Sequence, residues 1–226
     1  MNPSSDTNPE TEAVIRDLTN ALKPVQRLHS PKVRALCWLA VVVAIAGCLA
    51  MVADLPSLRH RMVASPDMWL AIMGSTLTAG FAAVAAFELS TPDASRAWAA
   101  LPVPAMVLWI GASGAGCLRT WLVDGTHVAG LSETRDCLLF IIGLSAPLLG
   151  LLIWMIRRAC SLQPELTAIT AGLAAAAAAA TLLNFFHPFD AAAVDLATHA
   201  AAVALVIAVN QVFSGRLLTK NPSRTT

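Results

Sequence analysis

The stretch "ALKPVQRLHSPKVRALCWLAVVV", residues 21–43, changes character along its length. As far as Arg34 it is basic and broken by Pro24 and Pro31; beyond that it is pure hydrocarbon. A basic segment feeding an apolar run is how a chain enters a bilayer from the cytoplasmic side. Here the run continues to residue 53, and about 20 such residues suffice for a helix to cross. Apolar stretches of similar length recur at 68–88, 97–116, 137–156, 166–186 and 193–213. The fifth is centred on an alanine run at 174–180, which is helical by propensity but only weakly apolar. That composition suits a helix packed among its neighbours better than one facing lipid. The expected fold is an all-α integral membrane protein, a six-transmembrane-helix bundle over residues 35–213. A cytoplasmic N-terminal arm (1–34) precedes the bundle and a cytoplasmic tail (214–226) follows it.

Composition agrees. The chain is 57% hydrophobic and 13% charged, where a soluble domain carries about 25% charged residues to coat its surface. A formal net charge of +1 gives no pull toward nucleic acid or an acidic partner. The N-terminus has no basic segment ahead of a short apolar core, so no cleaved signal peptide is expected. "MNPSSDTNPETE" reads instead as a polar, acidic, disordered lead-in.

Charge sets the expected orientation. With the N-terminus inside, the inner side holds Arg16, Lys23, Arg27, Lys32, Arg34, Arg96, Arg157, Arg158, Arg216, Lys220 and Arg224. The outer loops hold Arg59, Arg61, Arg119 and Arg135, so the count is eleven against four. Both termini are therefore expected in the cytoplasm, with outer loops at about 54–67, 117–136 and 187–192. On this topology Lys32 and Arg34 read as positive-inside anchors and Pro31 as the break before the first span.

The spans are chemically quiet. Ionisable residues at mid-membrane mark ion paths and relays, whereas Asp54, Glu88 and Asp195 all fall near expected span ends. This weighs against the runner-up reading, a small-molecule or metal transporter or a subunit of one. "GASGAG" at 111–116 lacks the GK[ST] continuation of a phosphate loop and reads as a place for close helix packing. No catalytic set stands out, so neither an enzyme nor a cofactor is expected.

Cys37, Cys48 and Cys160 read as small apolar residues. Cys117 and Cys137 bracket the longest outer loop. They are open to three readings: a disulfide, a redox- or metal-reactive thiol pair, or no special role. The last outer loop, "FFHPFDAAAVDLATH", offers His187 and Asp190, followed by Asp195 and His199 four residues apart on one helix face. Two histidines and two carboxylates could hold a divalent metal, or simply satisfy one another. Cys117, Cys137, His187, Asp190 and His199 are the candidate signal-sensing residues.

Ahead of the first span, Val14, Ile15, Leu18, Leu22 and Val25 recur at three- and four-residue spacing and form an apolar helical stripe. Pro24 should end or kink this helix near Leu22. Such a stripe can lie on lipid or dock in a partner's groove. Glu10, Glu12 and Asp17 oppose anionic lipid, which favours a protein partner. Ile15, Leu18, Leu22 and Val25 would fill the groove, with Lys23 and Arg27 against acidic residues of the partner.

Four stretches in order, "LTNALKPVQRLHSPKVRALCWLA", "ELSTPDASRAWAALP", "CLLFIIGLSAPLLGLLIWMIRR" and "FFHPFDAAAVDLATHAAAVAL", together resemble the NrsF family of six-span bacterial anti-sigma factors. The resemblance covers about residues 15–213. It implies a cytoplasmic N-terminal segment that sequesters an extracytoplasmic-function sigma factor at the inner membrane, with no direct contact to nucleic acid, and releases it on an outer-face stress signal. In the family, a cysteine at the start of the fourth span pairs functionally with one directly after the histidine that follows the fifth. Cys137 matches the first position, but Pro188 follows His187 at the second. That thiol pair is broken here. Cys117 could stand in as the partner of Cys137, or the sensing chemistry differs.

Overall fold

A computed structural model describes residues 9–21, 28–64, 66–123, 131–157, 159 and 161–186, together with Ala201, Ala204 and Ala208. Among the described residues the structure is all-helical. The helices are α1 (Pro9–Asn20), α2 (Pro31–Ala50), α3 (Leu55–Ala64), α4 (Pro66–Leu89), α5 (Val103–Val123), α6 (Leu131–Ile156) and α7 (Pro164–Leu183), with a 3-10 helix (Arg96–Ala100) before α5. Five segments are long and apolar enough to cross a membrane: Pro31–Ala50, Asp67–Leu89, Arg96–Gly116, Leu139–Ile156 and Pro164–Leu183. They fall on the first five expected spans. The sixth, 193–213, and the tail at 214–226 lie outside the described residues, apart from the three helical alanines.

The start of α2 follows from local chemistry. Ser30 is its N-cap and accepts a hydrogen bond from the Val33 N–H at 3.4 Å, while Pro31 occupies the first turn, where no backbone donor is needed. Two features depart from the sequence reading. Residues 54–67, expected as an outer loop, contain α3. Asp54 starts it, its carboxylate accepting from the Ser57 N–H and hydroxyl. The loop expected at 117–136 is shorter, because α5 runs on to Val123 and α6 begins at Leu131. Cys117 and Cys137 therefore lie within helices, more than a turn from the helix ends.

Burial sorts the spans. In α7, 83% of the apolar window is buried, against 17% in α2. The alanine run is the most enclosed part of the protein, with Ala174, Ala175, Ala176, Ala177 and Ala179 all fully buried. Alanine methyls hold a helix together at little entropic cost and let neighbours approach closely. This is the packed helix that its composition predicts. α7 sits between α4 and α6, and α5 packs on α4. The outward sides are apolar, with Leu36, Val43, Val107, Ile110 and Trp154 exposed.

The closest backbone approach between α4 and α5 is at Gly74. A Cβ there would stand 2.7 Å from the Trp109 backbone nitrogen and 2.8 Å from its Cα. A methyl cannot fit against backbone at that distance, so only glycine allows this crossing. "GASGAG" contributes less than expected. Ala112 is buried, but a Cβ on Gly111 or Gly114 would meet nothing within 4 Å among the described residues. Several buried hydroxyls bond within their own helix or across an interface. Thr78 donates to Gly74 O at 2.7 Å and Thr170 to Leu166 O at 2.8 Å, while Thr181 reaches Ser75 Oγ across the α4–α7 contact at 2.9 Å.

Candidate functional site

The arm begins with α1, and every residue of that helix is exposed. Val14, Ile15 and Leu18 are 57%, 55% and 64% accessible, and no helix covers them among the described residues. Glu10 and Glu12 stand in the first turn, where the positive end of the helix dipole favours carboxylates. Twelve residues are marginal for a helix in water. An apolar stripe on such a helix gains stability by lying against something else. Of the expected partner-binding residues, the structure thus places Ile15 and Leu18 on an open face. Leu22, Lys23, Val25 and Arg27 lie outside the described residues.

The expected sensing residues fall largely outside the described residues. Cys117 is carried by α5 and Cys137 by α6, and nothing is described of their side chains. α5 packs on α4, whereas α6 packs on α7 and α2. His187, Asp190, Asp195 and His199 all lie outside the described residues, as does Cys160. Cys37 and Cys48 are free and exposed on α2.

Where the arm meets the bundle, the structure corrects the reading of Arg34. Lys32 is exposed, as an anchor should be, but Arg34 is 7% accessible. It turns inward beside Ala35 and Trp38, the other buried residues of α2, because positions one and four further along share its helix face. Its Nη2 donates to Ser90 Oγ at 2.9 Å and to Phe87 O at 3.4 Å, and its Nη1 donates to Met155 O at 3.3 Å. The guanidinium also lies over the Phe87 ring, 5.1 Å from its centroid, with Glu88 as a nearby counter-charge.

These acceptors belong to helix ends. The last carbonyls of a helix have no partner in their own backbone, and they carry the negative end of the dipole. Arg34 meets that need for α4 and α6 at once. Two further carbonyls at the end of α4 also have side-chain donors. Thr91 donates to Glu88 O at 2.7 Å, and Leu89 O accepts from Ser161 at 3.1 Å and Thr167 at 3.2 Å. Gln163 Nε2 reaches Ala94 O at 2.8 Å, tying the two connections on this side together. Below this layer Trp38, fully buried, donates its indole N–H to Leu148 O at 3.0 Å. Three of the quoted stretches therefore converge: Arg34 from the first, Glu88, Ser90 and Ala94 from the second, and Met155 from the third. The fourth lies largely outside the described residues.

The sequence signal for this joint was a charge in the first turn of an apolar helix, four residues before a tryptophan. It was legible as a face, but its partners were not. The joint holds α2, α4 and α6 in register below the exposed helix α1. The chain matches no curated protein and no solved structure. The family model described as "Negative regulator of sigma F" matches residues 18–219, which takes in the last three residues of α1, the joint and every described helix long enough to cross a membrane. That family is one of regulators of a sigma factor and not of enzymes, and with the match running over most of its length, the chain belongs to the NrsF family.

Proposed function

We propose that this protein is a membrane-bound anti-sigma factor of the bacterial inner membrane, with both termini cytoplasmic. Its arm sequesters an extracytoplasmic-function sigma factor and releases it on an outer-face stress signal. The observation that carries this reading is the uncovered apolar face of α1 at the head of a multi-span bundle. Family membership supplies the class of partner, and the eleven-to-four charge distribution supports the orientation. The stripe from Val14 to Val25 fits a groove on the sigma factor, with Lys23 and Arg27 facing acidic residues. A short amphipathic helix in a groove recruits its anchors at this spacing.

The deciding experiment is co-purification. The full-length protein, tagged at its C-terminus and extracted in mild detergent, should retain a sigma factor. The same protein lacking residues 1–27 should lose it. If the two behave alike, the arm is not the contact, and if neither retains a sigma factor, the reading falls.

Release is proposed to start at the outer face, where Cys117 and Cys137 are the remaining thiol candidates. Cys117→Ser and Cys137→Ser variants should both blunt induction by thiol oxidants and soft metals such as cadmium, leaving uninduced repression unchanged. Induction equal to the parent in both would remove the pair from the signal path.

A further inference from the structure

Resting on the anti-sigma reading above, we propose that Arg34 is the positioning residue through which the bundle controls the arm. It is a latch whose closed state is the one that captures the sigma factor.

Arg34 is the one charged side chain buried among the described residues. It stands in the first turn of α2, at the last position of the arm, 14 residues beyond the end of α1. Its bonds bridge two helices. Ser90 Oγ and Phe87 O belong to the end of α4 and Met155 O to the end of α6, and these two helices each pack on α7. The latch is also incompletely satisfied, because Nε is buried with no acceptor. With this latch closed, Val14, Ile15 and Leu18 of α1 are exposed among the described residues, and capture is assigned to this state.

The geometry makes the contact sensitive to helix movement. Two of its bonds are already 3.3 and 3.4 Å long, close to the limit of useful hydrogen bonding. A planar guanidinium with a fixed fork cannot follow two carbonyls that slide apart. Once it loses them, a buried cation is driven toward water. Drawn toward water, the side chain no longer ties the head of α2 to the ends of α4 and α6, and the arm that continues from it is free to move. A small slide of α4 against α6, started at the far end of these rigid helices, thereby becomes a displacement of the arm.

The test uses the full-length chain with Arg34→Gln, Arg34→Lys and Ser90→Ala. One readout is uninduced expression of the genes that rise when the whole coding sequence is deleted. The other is backbone hydrogen exchange over residues 31–40 of the purified protein in detergent. Arg34→Gln should raise uninduced expression about tenfold at unchanged membrane abundance, with faster exchange. Lysine keeps the charge without the fork and should restore part of the repression, and Ser90→Ala should fall between parent and glutamine. A residue that merely stabilised the fold would change expression only as abundance fell. Accelerated exchange with parental repression in Arg34→Gln would overturn the latch while leaving the anti-sigma reading intact. If Arg34→Gln does not accumulate, Ser90→Ala decides: graded derepression supports the latch, and parental repression despite faster exchange overturns it. If deletion of the coding sequence raises no genes, the anti-sigma reading itself fails and the latch falls with it.

Discussion

Replacing Leu18 with Asp is expected to weaken capture of the sigma factor by roughly 100-fold and to raise uninduced expression of its target genes nearly to the level of a deletion. Leu18 is the last described residue of the stripe, following Val14 and Ile15, and is 64% accessible. In a groove its whole side chain leaves water, and buried aliphatic or aromatic anchors of this kind commonly contribute about 2 kcal/mol or more each. Aspartate loses that contribution and also brings a carboxylate into an apolar pocket, where it has no partner. A total near 3 kcal/mol corresponds to roughly 100-fold in Kd. The change is confined to the stripe face, because helix propensity differs by well under about 1 kcal/mol between the two residues. Ala13→Asp places the same charge on the opposite side of α1 and should bind within a few-fold of the parent. Titration of the purified sigma factor against each full-length variant in detergent provides the measurement. Equal affinity for Leu18→Asp and Ala13→Asp would mean that the stripe is not the contact.

The second large effect is on the bundle itself. Trp38→Ala should lower the melting temperature in detergent by about 10 °C, equivalent to about 3 kcal/mol for a protein of this size. α2 is held by few residues, since only Arg34, Ala35 and Trp38 are buried along it. Trp38 is the largest of them, fully enclosed, and bonded to Leu148 O at 3.0 Å. Lipid tails are as apolar as the helix surface, so helices associate in a bilayer by packing and hydrogen bonds and not by the hydrophobic effect. Removing the indole removes both and leaves a cavity between α2 and α6. Trp38→Phe keeps most of the packing and loses only the N–H donor, so it should cost about 1 kcal/mol. A parental melting curve for Trp38→Ala would show that α2 is held elsewhere.

The two predictions concern opposite kinds of information. Leu18 was identified from spacing alone, because an amphipathic stripe is a periodic property of adjacent residues. Its exposure in the structure is the expected consequence. Trp38 and Arg34 share a helix face that spacing also reveals, yet spacing does not say what that face meets. Arg34 read as an anchor because a basic residue at a span boundary is ordinarily solvated. Its partners lie 53, 56 and 121 residues away in the chain, and no local pattern encodes them. Similar reasons apply elsewhere. The alanine run indicated an interior helix, because a weakly apolar helix gains little from lipid. The critical glycine was misplaced, because whether a backbone approaches at Gly74 or at Gly111 depends on the crossing point of α4 and α5. α3 was missed because ten residues containing Pro56, Arg59, His60 and Arg61 have no strong periodicity.

The sequence by itself determined that several segments are long and apolar enough to cross a membrane, roughly where they lie, and that a short amphipathic helix stands ahead of the first of them. Hydropathy over about 20 residues decides insertion through local transfer free energies, so no tertiary information is needed. Only the tertiary structure decided which helix is enclosed, where two backbones touch, and that the last basic residue before the hydrocarbon is a buried bridge between two helix ends. Those outcomes depend on unpaired carbonyls at the ends of α4 and α6 coming within reach of one guanidinium. That proximity exists only once helices distant in sequence have packed.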